Sequence, residues 1–327
     1  MEIYRNFTEA YYDLIDATYH NYDYECAPRG QKIREIIGAS FVIEDPRNRL
    51  LYIPERKFSL SYVMAEILWY ALGENKTEWI GNYSAMWNKI SDDGTTANSA
   101  YGSRIFRAHP RISNSEFIQW EYVKDELKRD PDSRRAVIHI RTPEDSVHAK
   151  LDVPCTLSLQ FFIRKNKLVL IVNMRSTDLI FGLGNDVPAF TFMQEMMANE
   201  LGVELGQYIH VSNSLHIYEK HFEMCEQILK GIPNYNLEKP PAPMPAIPKG
   251  WNMPTAWLDH LQNFARQTQL GEEILAYLPE WLMEEPNALW RDWGRILVIH
   301  RLQKLNLLEA KAKVISQIEF GGFKALL

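Results

Sequence analysis

The sequence predicts an α+β fold with a largely buried sheet and a helical C-terminal extension. Three observations carry it. Residues 1–235 mix strand-like and helix-like patterns, and a polar turn joins two apolar runs into a hairpin within them. A proline-dense stretch, Lys239 to Lys249, then interrupts both patterns. Beyond it, apolar residues recur at helical spacing. These shifts divide the chain into a catalytic part (1–235), an extended linker (236–254) and a helical extension (255–327).

The elements follow in order. Ser59 to Gly73 reads as a helix, with serine near its start and glycine past its end. Ser113-x-x-Glu116 is a capping pattern that predicts a helix to about Lys128. Leu157–Ile163 and Leu168–Met174 read as strands joined through Arg164-Lys-Asn-Lys167. Pro188 suits the first turn of a helix ending near Gly202. Two further strands are expected at Tyr208–Val211 and His216–Tyr218. In the extension, Trp257, Leu258, Leu261 and Phe264 share a helical face. Trp281, Trp290, Trp293 and Ile296–Ile299 add apolar surface there, suited to packing on the catalytic part or on a second subunit.

Composition narrows the function. Of 327 residues, 46% are hydrophobic and 24% charged, the balance of a soluble globular chain. A net charge of −6 argues against a non-specific grip on nucleic acid. Three widely spaced cysteines, Cys26, Cys155 and Cys225, make neither a zinc pattern nor a paired disulfide framework. A reducing cytoplasm is therefore expected, with no metal. The N-terminal residues lack a signal-peptide pattern. No apolar run approaches the roughly 20 residues that span a bilayer.

Chemistry-bearing residues come next. A lone cysteine is more often an inert apolar filler than a nucleophile. Cys155 has better neighbours, because the hairpin returns Arg175-Ser176-Thr177-Asp178 towards it. A guanidinium beside a thiol lowers its pKa, and Arg175 with Ser176 suits a phosphate. Glu66 is surrounded by apolar residues on nearly every helical face. A buried carboxyl has a raised pKa and suits proton transfer, the alternative being a structural ion pair. His216 and Tyr218 lie two apart and share one strand face, suited to a sugar hydroxyl or to core packing. Arg134 and Arg135 are adjacent cations after a turn, by themselves a solvated surface.

Several segments together resemble the thymidylate synthase superfamily. They are Ile-Ile-Gly-Ala-Ser at 36–40, Ala-Glu-Ile-Leu-Trp at 65–69, Ala-Tyr-Gly at 100–102 and Asp-Pro-Asp-Ser-Arg-Arg at 130–135. Pro-Cys at 154–155, Gln160-Phe161, Met-Arg-Ser-Thr-Asp at 174–178 and Leu-His-Ile-Tyr at 215–218 complete the set. Their order and spacing match the family over about two-thirds of the chain. The resemblance implies a central mixed or antiparallel sheet flanked by helices. It implies that Cys155 adds to pyrimidine C6 and that Glu66 and Tyr101 serve proton transfer and ordered water. Arg29, Arg175 and Ser176 would bind the phosphate of a pyrimidine nucleoside monophosphate. Arg134 and Arg135 would reach the partner's site in a homodimer. Trp87 and Asp178 would contact 5,10-methylenetetrahydrofolate, the one-carbon cosubstrate, and His216 and Tyr218 the sugar.

Two departures point within the family. Thr156 follows the nucleophile where thymidylate synthases usually carry histidine. Asp186 stands where they place a base-reading asparagine, although Asn185 adjoins it and a one-residue shift would put an amide there. Uracil presents N3–H and O4, a donor and an acceptor that an amide matches. Cytosine protonated at N3 presents two donors, which a carboxylate accepts. Cys-Thr, Met-Arg-Ser-x-Asp and Gly-x-x-Asn-Asp thus resemble the cytidylate hydroxymethylases. The C-terminal end lacks the tail that closes over the synthase site, leaving room for water. The bulk of Ser176 favours dCMP over CMP. The expected reaction is C5 hydroxymethylation of a cytidine monophosphate. The competing readings are reductive methylation of dUMP, as in a thymidylate synthase, and a non-catalytic binding or regulatory protein on the same scaffold.

Overall fold

In the computed structural model, residues 1–108, 116–147, 151–231, 242–249, 285 and 287–327 are described. Among them, one sheet holds eight strands. They are β1 (Glu2–Tyr4), β2 (Tyr24–Cys26), β3 (Ile33–Ile43), β4 (Val137–His139), β5 (Thr156–Arg164), β6 (Lys167–Met174), β7 (Thr177–Asp178) and β8 (Glu204–Tyr218). The order is β1-β3-β8-β6-β5-β4, with β2 beside β3 and β7 beside β8. β8 runs parallel to β6 and antiparallel to β3, so the sheet is mixed, as expected.

Strand periodicity sorts the two faces. Leu168, Leu170, Val172 and Met174 of β6 are buried under helices, while Val169 and Ile171 are only half-buried on the other face. Helix α1 (Phe7–His20) packs on β3 and β8. Helix α2 (Leu60–Ala71) is capped as predicted, Ser59 Oγ accepting from the Tyr62 N–H at 3.4 Å. The chain continues through α3 (Thr77–Ile80), α4 (Met86–Ile90), α5 (Tyr101–Phe106) and α6 (Gln119–Arg129). Helix α7 (Gly184–Leu201) packs on β6 and β8, and α8 (Phe222–Gly231) on α1.

α2 and α5 cross so closely that a Cβ built on Gly102 would lie 2.2 Å from Tyr70 O and 2.3 Å from its Cα. Backbone cannot give way as a side-chain tip can. Gly102→Ala is expected to lower stability by roughly 3 kcal/mol, the upper range of overpacking, read as a lower urea midpoint at unchanged slope.

The hairpin forms as predicted, with Lys165 and Asn166 at φ 52° and 59° in a two-residue left-handed turn. Three expectations are corrected. The predicted helix from Ser113 begins instead at Gln119. The Gln119 amide both accepts from His139 N–H at 2.8 Å and donates to His139 O at 2.9 Å, so docking on β4 fixes where the helix starts. Ser113 lies outside the described residues. The two strands expected near 208 and 216 are one strand, β8. Ser212 pairs with both Ala39 and Met174, and this central position keeps the polar Ser-Asn-Ser stretch extended.

Pro188 sits in the second turn of α7, not the first. A wider π turn, Leu179–Leu183, leads in, and the Asp178 carboxylate caps it by accepting from Ile180 N–H at 2.9 Å. The described part of the linker is extended, yet it is fastened to the body rather than free. Met244 N–H donates to Arg47 O at 3.0 Å and Ile247 N–H to Glu195 Oε1 at 2.9 Å, and both side chains are buried.

Trp257, Leu258, Leu261, Phe264 and Trp281 lie outside the described residues. The described extension comprises α9 (Ala288–Lys304), α10 (Leu308–Ser316) and α11 (Gly321–Lys324). Trp290, Trp293 and Ile296–Ile299 are buried, with α9 laid against α2.

Candidate active site

The hairpin register builds the centre of the site. Thr156 pairs with Met174, so the residues just outside the ladder, Cys155 and Arg175, meet. Arg175 N–H donates to Cys155 O at 2.9 Å. Its guanidinium donates to Pro154 O and Val153 O at 2.8 and 2.9 Å and lies 3.7 Å from Cys155 Sγ. The arginine thus braces the loop that presents the thiol. The expected lowering of the thiol pKa is corrected. Burial pushes Cys155 above its ordinary value; Arg175 pulls it down, while the carboxylates of Asp186 and Asp152 push it further up.

Cys155 opens into a cleft of about 660 Å³. Its lining includes Glu66, Tyr101, Trp87, Asp178, Asn185, Asp186, Arg29, Arg175, Ser176, His216 and Tyr218. Twelve of the fourteen residues singled out by sequence therefore share one cavity. Arg134 and Arg135 are exposed and do not line their own chain's cleft; their backbone is held, Gln160 donating to Arg134 O, Tyr122 to Arg135 O, and Arg135 N–H to Ser133 Oγ.

One wall is a hydrogen-bonded relay. Trp87 Nε1–H donates to Tyr62 Oη at 3.0 Å, and Tyr62 and Tyr70 donate to Glu66 Oε1 at 2.6 and 3.2 Å. Burial raises the Glu66 carboxyl to about 7, against the two tyrosine bonds, which favour its charged form. A group poised near neutrality can take or give a proton at working pH. Tyr101 stacks on Phe190 and lies beside Tyr70, 5.9 and 5.4 Å between ring centroids.

Asp186 occupies the first turn of α7. Burial, then the carboxylates of Glu66 and Asp178, push its carboxyl well above the usual range. Its neighbour Asn185 donates its amide N–H back to Phe181 O at 2.7 Å.

At the cleft's end a recess of about 600 Å³ is lined by Arg29, Arg141, Arg175, Ser176, His216 and Tyr218, among others. Arg29 stands in left-handed backbone at φ 54°, a conformation that a non-glycine residue holds only where its surroundings impose it. Its guanidinium pulls down the Tyr218 hydroxyl, which burial and Asp178 raise. His216 donates its Nδ1–H to Ser214 O at 3.3 Å, because the carbonyl can only accept.

Sequence reasoning missed Tyr62, Tyr70 and Arg141. The tyrosines lie four residues before and after Glu66, a helical spacing that carried the signal. Arg141 had none, since a lone arginine past a strand reads as surface. Among the described residues, no group of three His, Cys, Asp or Glu could hold a metal, and no helix is long and apolar enough to cross a membrane.

A thiol beside a guanidinium, a buried carboxyl and a cationic recess thus share one cleft on this mixed sheet. The thymidylate synthase family model matches residues 9–242, and the chain belongs to that family. It is 33% identical over 247 residues to a deoxyuridylate hydroxymethyltransferase of Bacillus phage SP01, covering 72% of this chain and 64% of that protein. A protein of the same description from Delftia phage PhiW-14 is 32% identical over 206 residues, covering 59% and 55%. The chain thus spans less than two-thirds of the length of either relative. The fold resembles thermostable thymidylate synthase A from Bacillus subtilis, with a TM-score of 0.57, 22% identity, and coverage of 69% of this chain and 84% of that one.

Proposed function

We propose that this protein hydroxymethylates C5 of a cytidine monophosphate, dCMP in preference to CMP. The one-carbon donor is 5,10-methylenetetrahydrofolate. The observation that carries the choice of base is the carboxyl of Asp186 lining the Cys155 cleft, while the amide N–H of Asn185 is bonded to Phe181 O. The cationic recess suits the phosphate and the Trp87 wall a flat pterin ring. That aromatic wall, next to the thiol, is what fits the folate to these residues.

The steps follow from the residues. Neutral Asp186 donates its proton to cytosine N3 and accepts from N4–H. Cys155 gives its thiol proton to water and its Sγ bonds to C6 with the freed pair; the C5=C6 pair shifts to C4–C5 and the C4=N3 pair to N3, which takes the Asp186 proton. The resulting carboxylate accepts from both N3–H and N4–H, a pairing stronger in the adduct than in the substrate. C5 becomes the carbon nucleophile. Folate, when bound, supplies one carbon at the oxidation level of formaldehyde. Glu66, ionised, takes a proton from the water that completes the hydroxymethyl group. The C5 hydrogen and one hydrogen of that water end on the two folate nitrogens whose bonds to the carbon break, and elimination returns the pair of the C6–S bond to sulfur and the N3 proton to Asp186.

The relatives' names favour a second reading, dUMP as substrate. A protonated Asp186 can also accept from uracil N3–H and donate to O4. Mass spectrometry of products from dCMP, CMP and dUMP separates the two. Addition of CH2O to dCMP supports the proposal; addition to dUMP alone overturns it. Asp186→Asn is expected to shift the dUMP:dCMP ratio of kcat/KM by about 100-fold towards dUMP, because an amide cannot give up a proton to N3.

The exposed Arg134 and Arg135, with the half-buried apolar outer face of the sheet at Val169 and Ile171, support a homodimer in which each pair of arginines completes the other subunit's phosphate site. The cytoplasm is the compartment in which three free thiols and a folate substrate are expected to persist.

A further inference from the structure

Helix α9 lies outside the family-matched residues 9–242, yet it holds the cleft wall. Trp293 Nε1–H donates to Met64 O at 3.2 Å, midway along α2. Two turns further, His300 touches two segments at once. Its Nδ1 lies 3.1 Å from Ser61 Oγ in the first turn of α2, and its Nε2 lies 3.0 Å from Asn82 O. A carbonyl only accepts, so the proton sits on Nε2, and Nδ1 accepts from the Ser61 hydroxyl. The ring stacks on Tyr83 at 4.6 Å. Lys304 donates to the same Asn82 carbonyl.

These contacts matter because of what adjoins them. Ser61 precedes Tyr62, the tyrosine joining Trp87 to Glu66. Asn82 precedes Tyr83 and Ser84, which line the cleft with Met86 and Trp87. The α2 start and the 82–87 segment also meet through the Trp87 Nε1–H bond to Tyr62 Oη, and His300 adds a second tie at the other end of the segment. We infer that His300 is a positioning residue for the folate half of the cleft, clamping the Tyr62 and Tyr83 segments at a fixed distance. It does not serve the nucleotide half, whose arginines come from other elements. The inference rests on the reading that the Trp87 wall receives folate.

Two variants and two readouts test it. His300→Phe keeps the stack on Tyr83 and removes both hydrogen bonds; His300→Gln keeps an amide donor for Asn82 O. In His300→Phe, KM for methylenetetrahydrofolate is expected to rise about tenfold, with nucleotide affinity within about twofold of the parent and partial recovery in His300→Gln. Hydrogen exchange reads the clamp in the ligand-free protein. Residues 82–90 are expected to exchange about tenfold faster in His300→Phe, while β5 is unchanged. Unchanged exchange at 82–90, or an equal loss of folate and nucleotide affinity, overturns the inference. A parent protein that binds neither folate nor nucleotide, with exchange altered as expected, overturns instead the proposed function together with the folate role assigned to the clamp.

Discussion

Cys155→Ala is expected to reduce turnover by at least about 10⁴-fold while leaving the fold intact. No other described group near C6 of the proposed substrate supplies a sulfur nucleophile, since Cys26 is exposed on the recess rim and Cys225 is buried elsewhere. Without the C6 bond, C5 stays an aromatic carbon with little nucleophilicity, so the whole covalent contribution is lost rather than part of it. Loss of a half-buried thiol costs about 1 kcal/mol, so an unchanged circular dichroism spectrum should accompany the loss. The parent incubated with a 5-fluoropyrimidine nucleotide and folate should gain the mass of both at Cys155, and the variant none. Turnover retained in the variant would show that chemistry proceeds without the adduct.

Glu66→Gln is expected to move activity and stability in opposite directions. Activity should fall by about 10² to 10⁴, because an amide cannot take the proton of the attacking water. The stability sign follows from burial. The folded-state pKa is about 7, above the ordinary 4.5. Burial of the neutral acid therefore favours the fold below pH 4.5, and that advantage is lost as pH rises through 7. Above neutrality the parent carries a buried charge worth roughly 3 kcal/mol, which the variant lacks. Tyr62 and Tyr70 can still donate to the amide oxygen. Urea unfolding should show the variant more stable at pH 8 by up to about 3 kcal/mol, and no gain at pH 4. The parent's kcat should rise with pH through about 7, reporting ionisation of Glu66. A stability difference independent of pH would show that the carboxyl is not buried as charge.

The two predictions share an origin. A polar wall packed against Trp69, Trp87 and Tyr101 raises the carboxyls of Glu66 and Asp186, and the Cys155 thiol as well. The cleft favours proton transfer at the expense of thiolate, and Arg175 is the neighbouring cation that draws Cys155 back towards it.

Much of this was legible from residue order alone. Local chemistry determined the hairpin, since Lys165-Asn166 tolerates the left-handed turn, and the hairpin in turn dictates that Cys155 and Arg175 meet. Periodicity determined that Glu66 is buried and that His216 and Tyr218 share a face. The proline stretch determined where the chain stops being helix or strand. Tertiary structure alone decided the rest. It made β8 one strand, because pairing on both sides outweighs the weak strand preference of Ser212-Asn213-Ser214. It started α6 at Gln119, because docking on β4 supplies hydrogen bonds that a cap at Ser113 would not. It set the thiol pKa against the local expectation, because desolvation depends on everything packed around a group while a neighbouring cation is only one contribution. And it brought His300 to Asn82, 218 residues apart in sequence, a meeting that no local pattern encodes.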